Sequence, residues 1–401
     1  MRHYLDHAAT TPALPQVATA VAEQMAVAGN ASSLHASGRA ARKVVEESRE
    51  IVASALGAGP SEVIFTSGGT ESDNLAIKGL FYQRRADDPR RTRLVVSAIE
   101  HHAVLDCVDF LVAHEAAQVT WVRPDGQGRI DPAAVREAIA LDPAQVALVS
   151  VMWANNEVGA VQPIAEIAAV AHEFDIPVHT DAVQAMSTLP IDFSGVGTDL
   201  LTATGHKIGG PMGVGVLLAR RDIRLRALTQ GGGQERGLRS GTLDVAAIRG
   251  LAVAAAAVTA DLPAEQDRLV ALRDKMIRGS LDAGYDISVS GPHEVGDVTH
   301  RLSGNVHLLV PDCDGDSLLY LLDAAGIECS TGSACQAGVP RPSHVLLAMG
   351  VPEKQAGGAL RLSLGHTSHD ADVAAFLQAL PAAVERAQRA HHAGRTGERR
   401  R

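Results

Sequence analysis

Cysteine, aromatic residues and lysine are scarce in this sequence, and it lacks any long hydrophobic run. Its 401 residues include four cysteines without the paired spacing of a zinc site, so we predict no bound metal. Because no amino-terminal signal pattern is evident, four thiols fit a reducing cytoplasm, where we expect the protein. The longest apolar stretch, near 251–258, is too short and alanine-rich to span a bilayer. The net charge of -10 argues against direct binding of nucleic acid.

What the sequence does contain is a regular alternation of strand and helix patterns. Up to about residue 258, short apolar runs alternate with helical stretches, which predicts an α/β fold with a mostly parallel sheet. Seven runs qualify as strands: 62–66, 93–97, 118–122, 145–152, 176–180, 199–203 and 213–219. The later pattern is that of a smaller α+β unit. We predict a large domain over 16–258, a small domain formed by 1–15 with 259–385, and a disordered tail over 386–401.

Ligands of such sheets bind beyond the carboxyl ends of the strands, so the residues that follow each strand matter most. Gly68, Gly69 and Thr70 follow the first strand, and their backbone N–H groups could hold a phosphate or simply start a capped helix. His101 could stack on a planar ligand or move a proton, although one of 17 histidines carries little weight alone. The pair of asparagines that ends at Asn156 suits a turn or supplies amide donors.

Two other strand ends carry an acid and an amine. Asp181 ends a buried strand, where a carboxylate is costly unless paired, and it could keep the ring nitrogen of pyridoxal 5'-phosphate (PLP) protonated. Lys207 follows a buried strand, whereas the other four lysines lie on patterned helices or a polar turn. Such a lysine can form an imine with an aldehyde, and the alternative is a solvated surface charge. Taken together, these strand ends predict a PLP pocket.

Cys335 lies among small residues in Gly332-Ser-Ala-Cys335. A thiol reacts as its thiolate, and an exposed, flexible position suits a reactive cysteine. Taken alone, this cysteine is either a spare thiol in a loop or a nucleophile.

Six segments together resemble the NifS/IscS-type cysteine desulfurases, in order and at matching intervals over about residues 4–365. They are Tyr4-Leu-Asp-His-Ala-Ala-Thr-Thr-Pro12, Thr66-Ser-Gly-Gly-Thr-Glu-Ser-Asp-Asn74, Asn155-Asn-Glu157, Gly205-His-Lys207, Arg236-Gly-Leu-Arg-Ser-Gly-Thr242 and Gly332-Ser-Ala-Cys335. The resemblance implies a homodimeric PLP enzyme of aminotransferase class V with fold type I, whose large domain has a mostly parallel seven-stranded sheet.

The resemblance also implies a role for each matching residue. Lys207 is the lysine that binds PLP covalently, Asp181 pairs with the ring nitrogen, and His101 stacks on the ring and helps to move protons. The remaining contacts to PLP come from Gly69, Thr70, Asn156, Gln184, Thr204 and His206, with Thr242 reaching the PLP of the partner subunit. Arg361 holds the carboxylate of the substrate, with Asn156 nearby. Cys335 attacks the substrate sulfur and keeps it as a persulfide.

The implied activity is conversion of L-cysteine to L-alanine, with the sulfur passed to an acceptor protein for iron–sulfur cluster assembly or tRNA thiolation. Three alternatives stay open: a selenocysteine lyase, a class-V aminotransferase that does not use Cys335, and a non-enzymatic scaffold for assembly partners.

Overall fold

The computed structural model describes residues 2–332 and 342–398. The strands of this part of the chain are β1 (His3–Tyr4), β2 (Val63–Thr66), β3 (Arg93–Ser97), β4 (Gln118–Val122), β5 (Val146–Ser150), β6 (Val178–Asp181), β7 (Leu200–Thr204), β8 (Gly215–Ala219), β9 (Ser288–Val289), β10 (Asn305–Leu309), β11 (Ile327–Glu328) and β12 (Ala359–Ser363). The helices are α1 (Pro15–Met25), α2 (Ala36–Ala55), α3 (Gly69–Asp87), α4 (His102–Glu115), α5 (Pro132–Ala140), α6 (Ile164–His172), α7 (Phe193–Val196), α8 (Val245–Ala260), α9 (Leu262–Leu281), α10 (Gly315–Ala324), α11 (His344–Ala348), α12 (Glu353–Ala356) and α13 (Asp370–Glu398).

A seven-stranded sheet in the order β2-β8-β7-β6-β5-β3-β4 forms the centre of the large domain. All its neighbouring strands pair in parallel except those of β8, which runs antiparallel to both β2 and β7. This arrangement confirms the predicted α/β fold with a mostly parallel sheet. The direction of β8 follows from its connection, because a short turn after β7 returns the chain beside that strand.

Helices cover both faces of this sheet, which explains why the inner strands β3, β5 and β8 are largely apolar. Leu94 and Val96 of β3 point to the face covered by α3 and α4, where Phe81 and Val104 pack. Val95 points to the opposite face, where α5 and α6 pack. With both faces covered, the site forms beyond the carboxyl ends of the strands.

A second core is formed by the first residues of the chain and its carboxyl-terminal part. A three-stranded antiparallel sheet, β12-β10-β9, packs there with α9, α10 and α13. The amino-terminal Leu5 belongs to this core, because β1 pairs in parallel with β11. This packing agrees with grouping the first residues with the carboxyl-terminal part of the chain, while the domain boundaries themselves stay a prediction.

The predicted disordered tail over 386–401 was wrong at its beginning. Helix α13 continues past that point, and Ala387 is only 1% exposed. Gln388 adds a hydrogen bond from its side-chain amide to the carbonyl of Pro311, at 3.1 Å. The reason is that Leu380, Val384 and Ala387 continue one apolar face of the helix.

No single helix in the described part of the chain is long and apolar enough to cross a membrane. The consecutive helices α8 and α9 meet that criterion only when taken together, and they are bent by 75° at the break between them.

Candidate active site

One cavity of about 360 Å³ lies at the carboxyl ends of the strands of the large sheet. Ten of the predicted site residues line it: Gly69, Thr70, His101, Asn156, Asp181, Gln184, Thr204, His206, Lys207 and Arg361. Thr242 does not line it, and Cys335 lies outside the described residues. The cavity brings together residues that are separated by almost 300 positions in the sequence. Nine of them end or follow strands of the large sheet, whose parallel strands end at a common edge, and Arg361 comes from β12 of the three-stranded sheet.

The turn between β2 and α3 forms one end of the cavity. Gly68 has φ 150°, a conformation that favours glycine, and helix α3 begins at Gly69 with its first backbone N–H groups unpaired within the helix. A Cβ atom on Gly69 would come within 3.1 Å of the Val183 side chain. Thr70 and Thr204 line the same region. This end of the cavity therefore has the backbone donors and hydroxyl groups of a phosphate site.

The Lys207 amine is held by the amino-terminal segment of the chain. Its Nζ atom donates hydrogen bonds to the backbone carbonyls of Ala8, at 2.5 Å, and Ala9, at 2.7 Å. Burial, with a further contribution from the positive charge of Arg361, lowers the pKa of this amine to about 8. A lysine with such a pKa has a substantial fraction of neutral amine near neutral pH, so it can act as a nucleophile or as a base.

Asp181 lies at the end of β6 and is buried. Its Oδ1 atom accepts a hydrogen bond from the backbone N–H of Val183, at 2.8 Å. Burial, followed by the charge of Asp73, raises the pKa of Asp181 to about 7. The Asp73 carboxyl is also buried, lines the cavity, and its Oδ1 atom lacks a hydrogen-bond partner. These carboxyls would gain most from a protonated ring nitrogen, since a nearby positive charge favours their ionised form.

His101 caps helix α4 through its side chain. Its Nδ1 atom accepts a hydrogen bond from the backbone N–H of Ala103, at 3.1 Å. Burial, followed by the charge of Lys207, lowers the pKa of His101 to about 4, so the ring is neutral at neutral pH. The single ring proton must then reside on Nε2, which makes that atom a hydrogen-bond donor.

Arg361 projects from β12 into the opposite end of the cavity. Its Nη1 atom donates to the carbonyl of Asn156, at 3.1 Å, and its Nη2 atom donates to Oδ1 of Asp6, at 2.9 Å. The guanidinium group is almost fully buried, and its Nε atom has no hydrogen-bond partner. A planar, buried guanidinium group with an unpaired N–H suits the binding of a carboxylate.

The matching family is that of the class-V aminotransferases, over residues 3–376. The chain belongs to this family. An IscS-like cysteine desulfurase of Mycobacterium tuberculosis is 55% identical over 387 residues, which cover 96% of this chain and 97% of the relative. The cysteine desulfurase IscS of Methanosarcina thermophila is 41% identical, covering 96% of this chain and 92% of the relative.

Solved structures agree with this assignment. A NifS-like protein superposes with a TM-score of 0.87 at 32% identity, covering 96% of this chain and all of the other. A NifS-like protein from Rickettsia africae superposes with a TM-score of 0.85 at 31% identity and the same coverage. These relatives confirm the resemblance to NifS/IscS-type cysteine desulfurases and the PLP-dependent fold.

The residues of the cavity fit PLP, the cofactor of class-V aminotransferases. The fit rests on the chemistry of the donor set: an amine of lowered pKa, a buried carboxyl of raised pKa and a helix start with unpaired backbone N–H groups. No group of three or more His, Cys, Asp or Glu side chains suited to a metal ion occurs among residues 2–332 and 342–398.

Several residues of this class-V site were not predicted as site residues. Asp6, Ala8 and Ala9 contact Arg361 or Lys207, although they belong to the segment Tyr4-Leu-Asp-His-Ala-Ala-Thr-Thr-Pro12 that carried the family resemblance. The family resemblance of this segment was the one indication that it belongs to the site. The residues that it contacts are about 200 or more positions away in the sequence, so the contacts themselves could not be predicted. Glu157 likewise belongs to the segment Asn155-Asn-Glu157, and its side chain accepts a hydrogen bond of 2.5 Å from the Ser343 hydroxyl.

The other three cysteines are buried in the fold. Burial raises the pKa of Cys107 and of Cys329 to about 12, and that of Cys313 to about 11. A buried thiol that stays protonated is a poor nucleophile. None of these three is therefore suited to be a reactive thiol.

Proposed function

We propose that the protein is a cysteine desulfurase that converts L-cysteine to L-alanine and receives the sulfur as a persulfide on Cys335. The observation that carries the proposal is the convergence of Lys207, Asp181 and Arg361 in one cavity of a chain that belongs to the class-V aminotransferases. The relatives that it matches over almost their full length are cysteine desulfurases.

Each of the three side chains has a task that follows from its environment. Arg361 binds the carboxylate of the amino acid, and Lys207 takes the α-proton, for which its pKa of about 8 is suited. Asp181 holds the ring nitrogen of the cofactor in its protonated form. When bound, PLP supplies an electron sink for the charge that develops at the α-carbon. His101 lines the same cavity and would lie beside the ring of bound PLP, with the proton of its neutral imidazole on Nε2.

The sulfur step belongs to Cys335. Its thiolate attacks the sulfur of the substrate, the carbon–sulfur bond breaks, and the electron pair of that bond remains with the carbon skeleton, which is protonated and leaves as alanine. The thiol of cysteine thus becomes the outer sulfur of a Cys335 persulfide, so the reaction needs no external oxidant. Cys335 follows Gly332 by three residues, and Gly332 and Ser330 line the cavity.

Replacing this cysteine tests the proposal. We expect Cys335→Ser to abolish multiple-turnover formation of alanine from L-cysteine while retaining bound PLP, whereas Lys207→Ala should abolish covalent attachment of PLP. Alanine is measured by chromatography and the persulfide by mass spectrometry of the intact chain. Unchanged formation of alanine by Cys335→Ser would contradict the persulfide route.

We further propose that the enzyme works in the cytoplasm as a homodimer and passes its sulfur to an acceptor protein. An iron–sulfur scaffold is the first candidate and a tRNA thiolase the second. The dimer rests on the expected role of Thr242 toward the partner subunit, and Thr242 does not line the cavity of its own chain. Capture of partners by the persulfidated protein, followed by mass spectrometry, distinguishes the two acceptor classes.

A further inference from the structure

The contact between Asp6 and Arg361 places a fixed negative charge beside the arginine that would bind the substrate. Oδ1 of Asp6 lies 2.9 Å from Nη2 of Arg361. The Arg361 side chain is 6% exposed and that of Asp6 is 21% exposed, so water screens this pair less than it screens a surface pair. Asp6 itself does not line the cavity, and it reaches the guanidinium group from the wall behind it.

Both members of the pair are held by backbone contacts. Asp6 forms an isolated bridge with Ser363 of β12, the strand that carries Arg361. Residues on either side of Asp6 continue this link: the N–H of Ser363 donates to the carbonyl of Leu5 at 2.8 Å, and the N–H of His7 donates to the carbonyl of Ser363. Asp6 is therefore presented to Arg361 by the fold, and a change of charge at this position should leave its backbone in place.

Arg361 is also positioned without Asp6. Its backbone N–H donates to the carbonyl of Ser330, at 2.7 Å, and β12 pairs along its whole length with β10. The side chain keeps its hydrogen bond to the carbonyl of Asn156. Removing the charge of Asp6 should therefore change the electrostatic field of Arg361 more than its position.

We infer that Asp6 sets the affinity of the site for the carboxylate of amino-acid ligands by partly neutralising Arg361. This inference rests on the proposed role of Arg361. A counter-charge on one side of the guanidinium group weakens its attraction for a carboxylate on the other. The carboxylate is common to L-cysteine and L-alanine, so Asp6 also limits how tightly the product is held.

Asp6→Asn tests the inference, because it keeps an oxygen acceptor for Arg361 and removes only the charge. In the holoenzyme, Kd is measured for L-alanine and for cysteamine, which has the amine and thiol of cysteine but no carboxylate, from the change in visible absorption of PLP. We expect a roughly tenfold lower Kd for L-alanine and an unchanged Kd for cysteamine. Asp312→Asn removes an exposed partner of Lys354 and serves as the control that leaves both values unchanged.

Arg361→Gln separates failure of this inference from failure of the proposed function. It should raise the Kd for L-alanine and abolish the effect of Asp6→Asn in the double variant. If Arg361→Gln raises this Kd but Asp6→Asn leaves it unchanged, or shifts both ligands equally, the inference about Asp6 is wrong and the role of Arg361 stands. If Arg361→Gln has no effect on L-alanine, the proposed role of Arg361 is wrong as well. Should Asp6→Asn not fold, Asp6→Ser makes the same comparison.

Discussion

At the scale of single residues, burial has opposite effects on the acids and bases of the site. It raises the pKa of Asp181 and lowers the pKa values of Lys207 and His101, because a low-dielectric environment favours the neutral form of each group. The sequence predicted which side chains meet, since each follows a strand. It could not predict their protonation, which depends on burial and on neighbours such as Asp73 and Arg361.

The lowered pKa of Lys207 predicts how the apoprotein takes up PLP. The rate of covalent attachment should rise between pH 6.5 and about pH 8 and then level off, because only the neutral amine reacts. Stopped-flow absorbance over this pH range measures the inflection. Removing the nearby positive charge with Arg361→Gln should move the inflection to higher pH, whereas Lys354→Arg, at an exposed position, should leave it in place. An inflection near the ordinary lysine value in the wild type would contradict this account.

At the scale of secondary-structure elements, Glu157 joins the segment after β5 to the start of α11. It accepts the hydrogen bond of Ser343, which also caps α11. Gly332 lies against the same carboxyl group, since a Cβ atom there would be 3.6 Å from Oε2 of Glu157. One buried carboxyl therefore contacts the chain on both sides of 333–341, the segment that contains Cys335.

The protonation of Glu157 predicts that the difference in stability between the wild type and Glu157→Gln depends on pH. Burial raises the pKa of Glu157 in the folded protein to about 7, well above the value of about 4.3 expected in the unfolded chain. The folded state therefore binds the extra proton, and the stability from this group falls as pH rises from about 4 through 7. Glu157→Gln should gain stability relative to the wild type from pH 5 to pH 8. Urea unfolding across this range measures the difference, and Glu50→Gln, on the exposed face of α2, should show no such trend.

Helix α13 continues beyond residue 386, where the sequence predicted a disordered tail. The basic, alanine-rich end of the chain gives a weak helical signal, and the packing of Ala387 against the second core becomes visible only in the folded structure. Short side chains carry little periodic hydrophobic signal, even where they are buried.

This packing predicts a contrast between two alanines of one helix. Ala387→Asp places a carboxylate in the second core and should lower the free energy of unfolding by about 3 kcal/mol or more. Ala390→Asp makes the same substitution at an exposed position and should change it by less than about 0.5 kcal/mol. Chemical denaturation of both variants makes the comparison, and equal losses would contradict the assignment of 386–393 to the packed helix.

At the scale of the whole molecule, most of the site was predictable because most of its residues follow a strand of the large sheet. Ten of them reach one cavity from six separate segments of sequence. The contributions of Asp6, Ala8 and Ala9 were not predictable, because nothing local in the sequence states that the first strand pairs with β11. Long-range pairing of that kind is a property of the completed fold.

The proposed dimer predicts complementation between two inactive variants. If Thr242 serves the PLP of the partner subunit, Thr242→Ala and Lys207→Ala both fall in the same site of a mixed dimer, and the other site then keeps both native residues. We expect refolded mixtures of the two inactive variants to regain up to roughly a quarter of wild-type activity, from random pairing. Recovery should be absent when either variant is refolded alone, and sedimentation velocity should show a dimer throughout.

The pairing of β1 with β11 also has a consequence for synthesis of the chain. His3 pairs with Ile327, so the first strand has no partner until most of the protein has been made. At about 5–20 residues per second, the ribosome takes roughly 16–65 seconds to cover that interval. Until then the amino-terminal segment, which later contacts Lys207 and Arg361, lacks its pairing partner β11. The contact of this segment with Arg361 can therefore form only after most of the chain has been made.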